Sequence, residues 1–293
     1  MSLVITIAIQ ENPDIRHLPA GERMGGSAGV IEEWGTIMAD AFTISPHSSE
    51  FGPSPRWVRV YFNRQLIADS KEMMLLRETN RLPLYYFPKK DVRMDCLQPS
   101  DHTTHSDWKG EAIFWHVVIG DRIAKNAAFT FQNPPGTGPK LEDYIAFAWE
   151  KMDAWFEEDE EIFVYARDPH KRVDVIHSSR HIKVVVDGVT IGETKRPCLL
   201  FETGLPTRYY MPKQDARMDL LERTDTVTRC PYKGEAHIYT VKVANTRHEG
   251  LAWIYRYPTV ECAKIQGLVG FLNERVDMYE DGTLLPRPKT IWS

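Results

Sequence analysis

Cysteine is scarce in this sequence, and the cysteines it has are far apart. The chain contains four, Cys96, Cys198, Cys230 and Cys262, and no two of them form a C-x-x-C pair. Zinc ribbons and disulfide frameworks depend on closely spaced or paired cysteines, so neither is indicated. We expect reduced thiols and therefore a cytoplasmic protein.

Long apolar runs and an excess of basic charge are also lacking. The most apolar run, "LVITIAI" at residues 3–9, is far too short to span a bilayer, and it lacks the basic flank and cleavage site of a signal peptide. We interpret this run as a buried strand. The formal net charge of −5 and the pI near 6.1 argue against a nucleic-acid-binding surface. The expected partners therefore include neither nucleic acid nor a membrane.

The signatures of phosphate-binding and hydrolytic enzymes are missing as well. "PPGTGP" at residues 134–139 has neither the Lys-Ser/Thr pair nor the following helix of a Walker loop, and the chain has no G-x-S-x-G motif. The sequence therefore leaves enzymatic activity undecided, and we expect no cofactor.

What the sequence does have is an internal repeat with a spacing of 124 residues. "YYFPKKDVRMD" (85–95) recurs as "YYMPKQDARMD" (209–219), and an alignment without gaps extends over about a hundred positions. A repeat of this size indicates a duplicated small domain. The predicted organisation is an N-terminal arm without a partner in the repeat (1–56), a first repeat domain (57–157), a linker (158–180), a second repeat domain (181–285) and a tail (286–293).

Both copies have the same predicted secondary structure. "VRVYFNRQLIAD" (58–69) and "IKVVVDGVTIGE" (182–193) are β-branched runs around a turn, and Asp187-Gly188 is a typical hairpin turn. Apolar residues at helical spacing then predict a C-terminal helix in each copy. These residues are Leu141, Ile145, Ala148, Met152 and Trp155 in the first copy and Ile265, Val269, Leu272, Val276 and Tyr279 in the second. The sequence thus predicts a mainly β protein, with two tandem antiparallel β domains that each pack a C-terminal helix on the sheet.

Several motifs occur in the same order in both copies. The pattern "YYxPxxDxRMD…KGEA", together with "TVTRCPYKG" and "GLVGFLNERVDMYEDG", resembles domain of unknown function family 427, over residues 57 to about 285. The resemblance implies a β-tent-like fold, a compact two-sheet domain that in relatives binds zinc, small heterocycles or protein partners. It implies no settled activity. The first copy departs from the pattern at Ser106-Asp107-Trp108, where the second has Cys230-Pro231-Tyr232, so a lost site would be in the first copy.

Polar residues that recur in both copies within apolar strands are the main candidates for a binding site. Arg and Lys would hold a carboxylate or phosphate, and Tyr would supply a ring face and a hydroxyl. The alternative is structural, with the Glu and Arg paired inside each domain and the Lys-Gly at a strand end. These residues are Glu78, Tyr86, Arg93 and Lys109 in the first copy and Glu202, Tyr210, Arg217 and Lys233 in the second.

Aromatic residues and one cysteine complete the candidate set. Trp115 and Tyr239 occupy matched positions, as do Phe129 and Trp253. They would line an aromatic cage or simply form the core, and solvent access decides between the two. Cys230 would be a reactive thiol or an inert buried one.

A histidine-rich stretch raises the question of a metal site. "HTTH" occupies residues 102–105, and His116 follows nearby. The second copy has Thr226 and Arg229 at the matched positions, so no metal would be common to both copies. We expect loop histidines and no metal.

The favoured function is therefore small-molecule binding, in a pocket between the sheets of each domain, with an anionic or heterocyclic ligand. The first alternative is an enzyme of the transferase type that acts on a phosphorylated or nucleotide-like metabolite. The second is a structural or protein-interaction module. The oligomeric state is open, and a homo-oligomer is one option.

Overall fold

The computed structural model describes residues 48–79, 81–136 and 138–290. The apolar run at residues 3–9 and most of the predicted arm (1–56) lie outside the described residues. Within the described residues, no helix is both long and apolar enough to cross a membrane.

The first half of the described chain forms eleven strands in two antiparallel sheets. The seven-stranded sheet has the order β1-β4-β5-β9-β8-β7-β6, and the four-stranded sheet has the order β11-β10-β2-β3. The strands are β1 (Ser49–Pro53), β2 (Val58–Phe62), β3 (Gln65–Ser70), β4 (Met74–Glu78), β5 (Leu84–Pro88), β6 (Leu97–Ser106), β7 (Gly110–Ile119), β8 (Arg122–Gln132), β9 (Tyr144–Phe147), β10 (Ala154–Glu157) and β11 (Glu160–Ile162).

The second half repeats this topology. Its seven-stranded sheet has the order β12-β15-β16-β20-β19-β18-β17 and its four-stranded sheet has the order β14-β13-β21-β22. The strands are β12 (Val173–His177), β13 (Ile182–Val186), β14 (Val189–Thr194), β15 (Cys198–Glu202), β16 (Arg208–Met211), β17 (Leu221–Cys230), β18 (Gly234–Val243), β19 (Thr246–Pro258), β20 (Val269–Phe271), β21 (Asp277–Glu280) and β22 (Thr283–Leu284). The prediction of a mainly β protein with two similar antiparallel halves is confirmed.

The first hairpin of each half shows why these segments form strands. Alternate residues of β2 and β13 are buried, as expected for strands with one face on a core. The two turn residues have positive φ in both halves, 46° and 62° at Asn63-Arg64 and 49° and 77° at Asp187-Gly188. This is the geometry that a two-residue type I′ hairpin requires, so the hairpin predicted at Asp187-Gly188 is confirmed.

The predicted C-terminal helices are wrong. Each apolar stripe extends over two short strands and the turns beside them, with β9 and β10 in the first half and β20 and β21 in the second. The only helical segments within the described residues are 3₁₀ turns of at most six residues (Val260–Ile265). Ile145, Ala146 and Phe147 are all buried because β9 is covered on both faces of its sheet. A continuous apolar run of this kind cannot be distinguished from a buried helix by its periodicity.

The alignment without gaps is also wrong by one residue near the end of each repeat. Val58 pairs with Glu157 in the first half, and its counterpart Ile182 pairs with Glu280 in the second. The first residues of these pairs are 124 positions apart, but the second residues are 123 apart. The segment between β20 and β21 is therefore one residue shorter than its counterpart. At the other end, β1 and β12 are equivalent strands at a spacing of 124, although they fall within the predicted arm and linker.

Apolar side chains fill the space between the two sheets of each half. Val58, Val60 and Phe87 are fully buried there in the first half, and Val184 and Phe271 are fully buried in the second. We call the face of the seven-stranded sheet that is turned away from the four-stranded sheet its outer face. A second, smaller cluster lies on each outer face, and it contains Tyr86 in the first half and Tyr210 in the second. These outer-face clusters position the candidate site.

Candidate functional site

A glutamate and a lysine form a buried ion pair on the outer face of each large sheet. Glu78 ends β4 and points to the same face as Leu76, two residues earlier. Lys109, which immediately precedes β7, donates a hydrogen bond of 2.6 Å to Glu78, and the two side chains are only 4% and 5% exposed. Lys233 makes the same bond to Glu202, with side-chain exposures of 15% and 3%.

Each of these glutamates has a second cation nearby. Arg81 Nε lies 3.9 Å from Glu78 Oε1, and Lys171 Nζ lies 3.0 Å from Glu202 Oε1. We call Glu78, Lys109 and Arg81 the first cluster, and Glu202, Lys233 and Lys171 the second cluster. One carboxylate and two cations give each cluster a formal charge of +1.

The environment changes the acid–base properties of these groups. Burial alone would raise the pKa of Glu202, but the attraction of Lys233 and Lys171 outweighs it and holds the pKa below its ordinary value of 4.5. Burial lowers the pKa of the Lys109 ammonium from 10.5, and the bond to Glu78 opposes that shift only in part. The second cluster therefore favours an ionised carboxylate, whereas the first favours a lysine that gives up its proton more easily than an exposed one.

A fully buried tyrosine lies beside each cluster, and its hydroxyl differs between the halves. Tyr210 Oη accepts a hydrogen bond of 3.1 Å from Trp253 Nε1. Tyr86 Oη has no hydrogen-bond partner within the described residues. Burial raises the pKa of both phenols, and Glu78 raises that of Tyr86 further, so both hydroxyls stay protonated at neutral pH.

Aromatic rings surround the tyrosines. Phe129 lies edge-on to Tyr86 with 6.5 Å between the ring centroids, and Trp253 lies edge-on to Tyr210 at 6.4 Å. Lys109 Nζ is 4.9 Å from the centroid of Phe131. Each cluster is therefore a charged group set against an aromatic wall.

The predicted arginines lie elsewhere. Arg93 and Arg217 are 44% and 54% exposed, and each forms an ion pair with the aspartate two residues later, Asp95 or Asp219. The structure does not bring either of them to the clusters. Exposed pairs of this kind contribute little to stability.

Three further predicted site residues remain, and two of them belong to the core. Trp115 and Tyr239 pack against the core between the sheets and not on the outer face. Cys230 is half-buried, and it contributes, after burial, to raising the pKa of Tyr165.

The sequence did not identify the segment that covers the second cluster. Tyr165 packs against Tyr232 with 6.2 Å between ring centroids, and the Asp168 amide donates a hydrogen bond of 2.5 Å to the Tyr232 hydroxyl. Lys171 belongs to the same segment, which the repeat alignment left in the linker. Arg81 of the first cluster corresponds to Leu205, so comparison of the copies carried no signal for it either.

The expectation of loop histidines is wrong for the "HTTH" stretch, because His102 and His105 lie in strand β6. No set of three or more His, Cys, Asp or Glu side chains within that part is arranged to hold a metal ion. His116 Nδ1 accepts a hydrogen bond of 3.0 Å from the amide of Asn126.

The comparisons with known proteins identify the family. The model of the domain of unknown function DUF427 matches residues 50–158 and, a second time, residues 174–282. The two matches cover most of the chain, so the protein belongs to this family and contains two tandem copies of its domain. A comparison with curated proteins found no match.

Proposed function

We propose that this protein binds a small anionic molecule with a flat ring, at the cluster on the outer face of each large sheet. The observation that carries the proposal is the charge of the two clusters, since each sets two cations against one buried carboxylate. The site differs from the pocket between the sheets that the sequence favoured, because apolar side chains fill that space. We also propose that each half has a β-tent-like fold and that the protein is cytoplasmic.

The second cation of each cluster is the group that would meet the ligand. Lys171 is 24% exposed and Arg81 is 52% exposed, whereas Lys109 and Lys233 are largely buried against their glutamates. A carboxylate or phosphate would receive charge-assisted hydrogen bonds from the exposed cation. The neighbouring rings would cover the flat part of the ligand.

Isothermal titration calorimetry with benzoate, uracil and inorganic phosphate tests this proposal. We expect the wild-type chain to bind benzoate at two sites, and Lys171→Met and Arg81→Met each to remove one of them. Neither substitution breaks the hydrogen bond between Lys109 and Glu78 or the one between Lys233 and Glu202, so the fold should persist. Absence of binding by the wild-type chain would refute the proposal.

The chain offers a closely matched control. Glu222 also contacts two cations, with 2.6 Å to both Lys242 and Arg247, but this group is on the exposed surface. Lys242→Met removes the same charge as Lys171→Met and should leave both benzoate sites unchanged. Equal losses in the two variants would mean that net charge, and not the cluster, governs binding.

A further inference from the structure

The hydroxyl of Tyr86 is a buried polar group to which the described residues of the first half offer no hydrogen bond. The side chain is fully buried, and its oxygen has no hydrogen-bond partner within the described residues. A buried polar group without a partner is costly, and most such groups in native proteins are paired with protein, water or ligand. Phenylalanine would fill the same place without this cost.

The difference between the halves comes from two substitutions that fit together. Trp253 and Gly270 are directly opposite each other on adjacent strands, and a Cβ added to Gly270 would lie 2.9 Å from Cε2 and Nε1 of the indole. The indole that binds Tyr210 therefore requires glycine at this position. The first half has Phe129 opposite Ala146 at the equivalent pair of positions. A methyl group there excludes the indole, and phenylalanine supplies no donor.

Packed aromatic rings connect Tyr86 to the first cluster. Phe129 lies edge-on to both Tyr86 and Phe131. Lys109 Nζ, which binds Glu78, is 4.9 Å from the centroid of Phe131. Phe51 and Phe129 both lie edge-on to the tyrosine ring. A hydroxyl donor, a lysine and an aromatic wall thus converge in the first half.

We propose that Tyr86 is a ligand-contacting residue, whose hydroxyl donates a hydrogen bond to an oxygen of the anion held at the first cluster, whereas Tyr210 has a structural role in its bond to Trp253. This proposal rests on the proposed function and makes the two sites different. In the first half the tyrosine hydroxyl adds one hydrogen bond to the anion. In the second half the tyrosine hydroxyl binds Trp253 instead and does not contact the ligand.

Tyr86→Phe and Tyr210→Phe form a matched pair of variants for the test. Both are made in the Lys171→Met background, which leaves benzoate only the first-half site. We expect Tyr86→Phe to weaken benzoate binding about tenfold, the factor for one hydrogen bond, and Tyr210→Phe to leave it unchanged. Equal benzoate affinity in the Tyr86→Phe variant and its parent would overturn the assignment.

Thermal unfolding without ligand tests the premise separately. Tyr86→Phe should leave the Tm unchanged or raise it, because it removes a buried group without a partner. Tyr210→Phe should lower the Tm, because it leaves the Trp253 indole N–H unpaired. If Tyr86→Phe lowers the Tm as much as Tyr210→Phe does, the Tyr86 hydroxyl has a structural partner and the inference is wrong. If the Tm values behave as expected but the parent does not bind benzoate, the failure lies with the proposed function.

Discussion

Substitution of Lys109 by methionine should destabilise the protein far more than loss of an ordinary salt bridge. The change removes the ammonium group but keeps the volume of the side chain. Among the described residues, it leaves the buried Glu78 with one neighbouring cation, the half-exposed Arg81 at 3.9 Å. Breaking a buried pair by removal of one partner costs about 3–5 kcal/mol. An exposed arginine restores at most about 1 kcal/mol of that. We therefore expect a loss of about 2–5 kcal/mol in the free energy of unfolding.

The companion variants make the test specific. Glu78→Gln should cost less than Lys109→Met, because burial already lowers the pKa of the Lys109 ammonium and the lysine can lose its proton. The double variant Glu78→Gln/Lys109→Met buries no charge, and its stability should lie within about 1 kcal/mol of the wild type. The single and double variants together form a double-mutant cycle that isolates the interaction between the two side chains.

Urea denaturation, followed by circular dichroism, measures these differences. The midpoint and the slope are both required, because a change in slope would report a change in the unfolded or native ensemble and not in the pair alone. A loss below about 1 kcal/mol in Lys109→Met would show that the pair behaves as a solvated surface pair. In that case the claim that Glu78 and Lys109 form a buried ion pair would be wrong, and so would the binding site proposed there.

Two further predictions concern the second half. Because the pKa of Glu202 is lowered on folding, its contribution is complete above its ordinary value of 4.5 and is lost as the pH falls through the lower folded value. Stability should therefore fall below about pH 4.5, and less steeply in Glu202→Gln; parallel pH profiles of the urea midpoint would contradict this. Gly270→Ala should cost about 1–3 kcal/mol, because its Cβ would lie 2.9 Å from the Trp253 indole. Adding Trp253→Phe should recover part of the loss in thermal unfolding, and no recovery would exclude contact with the indole as its cause.

The repeat predicted most of the fold because duplication is visible without knowledge of the structure. A spacing of 124 residues was enough to predict two equivalent halves, and the Asp187-Gly188 turn was enough to predict a hairpin. The helices were mispredicted because β9 and β20 are buried on both faces, and such strands lack the period-2 alternation that identifies a strand. The shift of one residue before β21 was missed because it occurs between short, dissimilar segments.

The candidate site was only partly predictable. Comparison of the copies singled out Glu78 and Lys109, but it cannot show which residues pair across a sheet, and the expected Glu–Arg pair is a Glu–Lys pair. Arg93 is retained in both copies, yet it forms an ion pair with the aspartate two residues later. Such a local contact does not indicate a binding site. Lys171 and Arg81 have no equivalent charge in a described counterpart, so retention between the copies could not reveal them.

A crystal structure of the full chain with benzoate would show directly whether the two clusters are binding sites. We expect benzoate density at the first cluster, with the carboxylate within hydrogen-bond distance of Arg81 and of the Tyr86 hydroxyl and the ring against Phe129. A second molecule should contact Lys171. Density elsewhere on the chain, or unoccupied clusters in crystals saturated with benzoate, would contradict the claim that these buried Glu–Lys groups form the binding sites.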